Sequence, residues 1–178
     1  SIGLGADLVH PLSLVIDDMG IYYDATRSSR LEYILQNEFL NTKARNRAKA
    51  LRDRLEALDL TKYNLVKQPW KYSENDQRVL LVVGQVETDD SIRLGLTNIN
   101  TNIKLLRRVR HENPSAYIIY KPHPDVVAGL RKRGKNENES INVANEVIDH
   151  PVALNSLLKQ IDEVHTMTSL LGFEALLR

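Results

Sequence analysis

The stretch Ile118-Ile119-Tyr120-Lys121-Pro122-His123-Pro124-Asp125-Val126 constrains this chain more than any other. It begins as an apolar strand. Pro122 disfavours the helical region for Lys121, so the strand ends there in an extended conformation. Pro124 suits the first turn of a helix, where its missing N–H costs nothing. His123 is then the N-cap, beside unpaired backbone N–H groups and the positive end of the helix dipole. A strand-to-helix junction of this kind suits an anion, and the imidazole and Lys121 add donors. The same residues also describe a proline-stiffened turn whose histidine only caps a helix. On these residues alone the two readings stand level.

Around this junction the pattern alternates. Residues 79–83 are a continuous apolar run, as in a parallel strand buried on both faces. Ile99, Ile103, Leu106 and Val109 form a helical stripe that stops at Asn113-Pro114. Residues 117–120 are the second strand and residues 125–133 the second helix. A polar surface loop is expected over residues 134–140, and a third strand within 141–148. A helix from Pro151 carries Leu154, Leu157 and Leu158; a short strand at 163–166 and a helix at 170–177 follow. Four strand–helix alternations predict an α/β fold with a doubly wound, Rossmann-like parallel sheet.

The N-terminal part is less regular. Leu12 to Ile16 and Ile21 to Tyr23 flank Asp17-Asp18-Met19-Gly20, which predicts a β-hairpin with Gly20 free to take a positive φ. Turn chemistry accounts for the two carboxylates more cheaply than a metal does. Ser28 or Ser29 caps a helix bearing Leu31, Ile34 and Leu35. Residues 41–58 form a basic amphipathic helix. Its thin stripe of Ala44, Ala48, Leu51, Leu55 and Leu58 is expected to pack on the protein, with Lys43, Arg45, Arg47, Lys49, Arg52 and Arg54 in water. The competing use of such a helix is contact with an anionic membrane surface. Residues 68–77 read as a linker, with a boundary near Asp76 separating residues 1–75 from 76–178.

The 178 residues suffice for one domain, or one domain and part of another. With 24 basic and 23 acidic residues, net charge is +1, which gives no basis for general nucleic-acid binding. The absence of cysteine excludes disulfides and cysteine-ligated metals. No signal peptide or membrane-length apolar run is present. Both ends read as cut: Ser1 is not a starting Met, and Arg178 closes a helical pattern without a stop.

Ligands of doubly wound sheets bind beyond the carboxyl ends of the strands. Those ends are Gly84-Gln85-Val86-Glu87, Lys121-Pro122-His123-Pro124, Asp149-His150 and Thr166-Met167-Thr168-Ser169. Thr168 and Ser169 repeat the logic of His123, placing hydroxyls at a helix start, and Gly172 permits close approach. Glu174, one turn in, can accept from a ribose or base, or merely complement the dipole. No phosphate-binding or dinucleotide glycine fingerprint occurs, since Gly3-Leu4-Gly5 lacks a preceding strand and a third glycine. No histidine pair has metal spacing; His150 and His165 read as structural, and Asp89-Asp90 as a loop or helix entry.

Taken in order, these residues resemble the β-Kdo transferases of bacterial capsule assembly, known as capsule polysaccharide biosynthesis and export proteins. Kdo is an acidic octulosonic sugar supplied as CMP-Kdo. The resemblance rests on Gly3-Leu4-Gly5, Pro11-Leu12-Ser13-Leu14, Gly20-Ile21-Tyr22-Tyr23-Asp24, Ser29-Arg30-Leu31-Glu32, Gly84-Gln85-Val86-Glu87, Tyr120 to Val126, and His165 through Arg178. It implies a two-domain GT-B glycosyltransferase architecture. Residues 1–75 would be part of the N-terminal half, with the hairpin, basic helix and linker; residues 76–178 would be a nucleotide-sugar-binding half cut short at its C-terminus. The family is similar to CMP-sialic-acid transferases, in which a His-Pro motif and a Ser/Thr pair hold the CMP phosphate. Those roles fall on His123 with Pro124 and on Thr168 with Ser169. With Gln85, Lys121 and Glu174 they make up the expected donor-binding set.

The implied reaction is retaining transfer of Kdo from CMP-Kdo to a phosphatidylglycerol-type or Kdo-lipid acceptor. It takes place in the cytoplasm, at the inner face of the inner membrane. No metal or cofactor is expected. Peripheral membrane contact and other capsule assembly or export proteins are the further partners implied. In the family an acidic Glu-Asp-Gly stretch precedes the Gly3-Leu4-Gly5 region and supplies the catalytic carboxylate, so that group is expected upstream of Ser1, with Glu87 as the fallback within the chain. The chain thus reads as a fragment, inactive alone. Two other readings compete: a non-catalytic sugar-nucleotide-binding or scaffold component of capsule export, and a transferase using another donor such as CMP-sialic acid or a UDP-sugar.

Overall fold

A computed structural model of the chain describes residues 14–62, 68–73, 76–95 and 98–178. The first helix, α1 (Arg30–Asn37), starts where a local signal is complete: the Ser29 hydroxyl accepts the Glu32 N–H and the Glu32 carboxylate accepts the Ser29 N–H. The expected hairpin before it does not form. Leu12 and Ser13 lie outside the described residues, and residues 14–23 contain no strand. The Asp17 carboxylate accepts from Met19 at 3.0 Å and Gly20 at 2.9 Å, then reaches the Arg30 N–H at 2.8 Å. Asp18 pairs with the Arg30 guanidinium. The turn residues therefore fasten this segment to the start of α1 instead of folding it back on itself. Gly20 does not take a positive φ. It is needed for close approach, since a Cβ there would lie 2.8 Å from the Ser28 carbonyl oxygen.

Asn41 caps α2 (Thr42–Ala57) by accepting the Ala44 N–H at 2.9 Å. The expectation that its apolar stripe packs on the protein is overturned. No residue of α2 is buried, and Leu51 and Leu58 are 55% and 52% exposed. An alanine-rich stripe presents too little apolar area to hold the helix down.

The sheet forms as the sequence predicts. Its elements are β1 (Val79–Val83), α3 (Asp90–Gly95), α4 (Asn102–Glu112), β2 (Tyr117–Lys121), α5 (Pro124–Val127), α6 (Ser140–Val143), β3 (Glu146–Val147), α7 (Leu154–Leu158), β4 (Glu163–His165) and α8 (Leu170–Leu176). The strand order is β3-β2-β1-β4, and every pairing is parallel. Each residue of β1 is buried, because side chains alternate between two covered faces. Leu80 and Val82 pack with Ile103, Leu106 and Val109 of α4. Val79, Leu81 and Val83 pack with Ile148, Leu157 of α7, and Trp70. Helices on both faces make this a doubly wound, Rossmann-like sheet. Its order reverses between β1 and β4, which opens a crevice at their carboxyl ends.

Two expectations about loops need correction. The helix after β2 ends at Val127 instead of continuing to residue 133. Gly129 takes φ +74°, Leu130 N–H bonds the Asp125 carbonyl at 2.9 Å and Gly129 N–H bonds the Val126 carbonyl at 3.1 Å, a Schellman ending that local periodicity does not show. Residues 134–140 are not all surface loop either. Glu137 is 2% exposed, accepts the Gly134 N–H at 2.6 Å and holds the Tyr120 hydroxyl. Trp70, on the N-terminal side of the boundary expected near Asp76, belongs to the same core and donates from Nε1 to Glu146 at 2.9 Å.

Candidate functional site

The junction after β2 is built as its prolines require. Pro122 is buried, His123 is the N-cap of α5 and Pro124 its first residue. His123 Nδ1 accepts the Asp125 N–H at 3.1 Å. A ring nitrogen that accepts is unprotonated, so the neutral imidazole carries its proton on Nε2. Burial lowers the His123 pKa below its ordinary value; Asp125 opposes this, and the Lys62 charge adds to it. Burial likewise lowers the pKa of Lys121, opposed by Asp149. Gly84 lets the end of β1 lie against this junction. Its N–H donates to the Lys121 carbonyl at 2.8 Å, and a Cβ would sit 2.5 Å from the Tyr120 hydroxyl and 3.0 Å from Pro122 Cα.

One cleft gathers much of the expected set. Lys121, His123, Pro124, Ser169 and Glu174 all line it, together with Pro151 through Leu154. Three helices begin at its wall: α5 at His123, α7 at Ala153 and α8 at Ser169. The Ser169 hydroxyl accepts the Leu171 N–H at 3.3 Å, while Ala153 offers no side-chain cap to α7. Helix starts gathered at one wall favour an anion through the positive ends of their dipoles, although the Asp125 N–H is taken by His123 and the Leu171 N–H by Ser169.

Gln85 and Thr168 belong to the support of this cleft and do not line it. Gln85 is 8% exposed; its Oε1 accepts the Thr168 N–H at 2.7 Å and its Nε2 donates to Thr168 Oγ1 at 2.8 Å. Its backbone exchanges hydrogen bonds with the Asn102 side chain at 2.9 and 2.8 Å. One glutamine thus ties the ends of β1 and β4 to the start of α4. Thr168 instead faces an adjoining groove, shared with Ser169, Gly172 and Thr166. At Gly172 a Cβ would lie 2.7 Å from the Thr166 methyl, so this glycine lets α8 press on the end of β4.

Glu87 is outside the cleft, and its carboxylate oxygens accept the N–H groups of Asn102 at 2.7 Å and Lys135 at 2.8 Å. Glu174 lines the cleft and its Oε1 accepts the Lys62 N–H at 2.8 Å. His150 and His165 lie elsewhere, beside Asp149 and Glu163. Among the described residues no group of three or more His, Asp or Glu side chains is arranged to hold a metal. Three lining residues had no signal in the sequence reading: Asp59, Thr61 and Lys62. They follow α2 in an irregular segment, with no periodicity or motif to mark them.

A family model described as capsule polysaccharide biosynthesis protein matches residues 49–178. The chain is 48% identical over its full length to the capsule polysaccharide modification protein LipA of Neisseria meningitidis, and spans 25% of that protein. It is 43% identical to the lipopolysaccharide-processing protein LpsZ of Rhizobium meliloti, covering all of this chain and 41% of LpsZ. Among solved structures it resembles the β-Kdo 2,4 transferase of Thermosulfurimonas dismutans KpsC, with TM-score 0.82 and 32% identity over 99% of this chain and 55% of that one. The β-Kdo 2,7 transferase of the same KpsC gives TM-score 0.73 and 37% identity over 90% of this chain and 48% of that one.

Proposed function

Because the chain belongs to the capsule polysaccharide biosynthesis protein family, we propose that it is the donor-binding part of a GT-B glycosyltransferase that moves Kdo from CMP-Kdo to a phosphatidylglycerol-type lipid acceptor. The observation that carries this reading is the convergence of three helix starts with Lys121, His123, Ser169 and Glu174 on one cleft at the carboxyl ends of the sheet. The CMP phosphate sits at those helix starts, taking hydrogen bonds from His123 Nε2 and from the first turn of α7, which has no side-chain cap. Kdo leaves when its C2–oxygen bond to that phosphate breaks, and negative charge grows on the phosphate as it does. Donors fixed there in advance stabilise the departing CMP more than the bound ground state, and so lower the barrier. Gln85 and Thr168 hold the loops that carry these groups. Transfer with retention, at the inner face of the inner membrane, completes the reading. The basic helix α2, none of whose residues is buried, is suited to the anionic lipid of that face.

A second reading is favoured by one observation. Glu87, the candidate carboxylate within the chain, has its oxygens engaged by backbone N–H groups away from the cleft. On that reading the chain binds the sugar nucleotide without acting on it. Calorimetric titration with CMP, UMP, UDP and cytidine tests the shared premise: CMP is expected to bind most tightly. Equal affinity for CMP and cytidine would remove the phosphate site. Formation of Kdo-lipid from CMP-Kdo, and its loss on His123→Ala, separates enzyme from binding module.

A further inference from the structure

We infer that Lys62 is a further binding residue for the donor phosphate, carried to the mouth of the cleft by residues 59–62 and set in place by Glu174 and Arg178. The inference rests on the nucleotide reading above and adds a charged group from a separate segment of the chain. The path of that segment is determined by how α2 ends. Asp59 takes φ +50°, its N–H bonds the Glu56 carbonyl at 3.0 Å and the Leu60 N–H bonds the Leu55 carbonyl at 3.0 Å. This Schellman-type ending turns the chain sharply, with aspartate at the left-handed position it tolerates better than most residues. Two fasteners then hold it across the cleft. The Arg178 guanidinium donates to the Leu60 carbonyl at 2.7 Å and to the Glu174 carbonyl at 2.9 Å. The Glu174 carboxylate accepts the Lys62 N–H at 2.8 Å. Glu174 is thereby a positioning residue for the strap.

Asp59, Thr61 and Lys62 line the same cleft as His123, Lys121 and Ser169. The Lys62 charge is felt at the imidazole: with Arg131 it disfavours protonation of His123, while Asp125 and Asp89 favour it. Two cationic side chains, Lys62 and Lys121, therefore share one space with a neutral imidazole and with the acidic residues Asp59 and Glu174. A phosphate at His123 Nε2 gains attraction from both; Lys62 is exposed, so its share is the one that salt screens.

The test compares the 178-residue chain with Lys62→Gln and Lys62→Arg, titrated calorimetrically with CMP, cytidine and CMP-Kdo at low and high salt. Lys62→Gln is expected to weaken CMP roughly tenfold at low salt, as for one lost hydrogen bond to a charged group. The loss shrinks at high salt. Lys62→Arg keeps most of the affinity, and cytidine binds all three proteins alike. In NMR titrations the His123 ring of Lys62→Gln takes up its proton at higher pH than in the wild type. Unchanged CMP affinity in Lys62→Gln, or parallel losses for CMP and cytidine, overturns the inference. So does a loss with CMP-Kdo but not CMP, which would place Lys62 on the sugar's carboxylate. Should the wild type itself not distinguish CMP from cytidine, the nucleotide reading fails before Lys62 is in question.

Discussion

An imidazole that accepts a helix N–H through one nitrogen must present its proton on the other, so capping and phosphate binding are compatible in His123. His123→Ala is expected to weaken CMP about tenfold to a hundredfold, the worth of a hydrogen bond to a charged group, and to leave cytidine unaffected. Parallel losses in a calorimetric comparison would make the residue purely structural. The same burial gives a pH signature. The His123 pKa lies below its ordinary 6.5 in the folded chain. The folded state therefore disfavours a proton that the unfolded chain accepts. The neutral ring's contribution is complete above pH 6.5 and is lost as pH falls through the folded value. Urea unfolding across that range should show a shallower acid slope for His123→Gln than for the wild type. At this scale the sequence was informative because capping is local: Ser29, Asn41, Thr101, His123 and Ser169 all accept a nearby N–H.

Among the elements, α2 departs furthest from what its pattern led one to expect. Its apolar stripe is unburied, and Lys43, Arg45, Arg47, Lys49, Arg52 and Arg54 surround it. A basic residue near an anionic bilayer contributes about 1 kcal/mol, screened by salt. Replacing Arg45, Lys49 and Arg52 with Gln should thus sharply reduce sedimentation with phosphatidylglycerol vesicles at low salt, with little effect on melting. Sedimentation equal to that of the wild type would show that the helix does not serve the membrane. Periodicity located α2 and α4 equally well, yet only α4 is buried along its apolar face. Leu105, Leu106 and Val109 offer large side chains to β1, whereas the first half of the α2 stripe, Ala44 and Ala48, offers only methyl groups.

For the whole molecule, the buried pair Tyr120–Glu137 joins the central sheet to the segment that follows α5. Tyr120 lies directly before the Lys121-Pro122-His123 junction, and its hydroxyl fits only because Gly84 has no side chain. Tyr120→Phe removes one donor from a carboxylate that cannot reach water. It is expected to cost about 1–3 kcal/mol in urea unfolding. A change below that range would mean the carboxylate is satisfied without the tyrosine. Gln85 works in the same way on the other side, bonding to Thr168, a residue far along the chain.

By itself the sequence determined the four parallel strands, the alternation of helices and the capped junction at His123. Each follows from signals within a few residues: apolar runs, proline positions and hydroxyls before helices. It also brought out Lys121, His123, Pro124 and Ser169, because strand ends in such a sheet converge whatever the loops do, and Glu174, one turn into the helix after the last of them. Tertiary structure alone decided that Asp17 would fasten a helix and not close a hairpin, that Glu137 would be buried, and that Asp59, Thr61 and Lys62 would reach the cleft. The physical reason is common to these cases. A carboxylate or amide takes whichever partner the folded chain brings within hydrogen-bond distance, and those partners lie beyond the range of any local pattern.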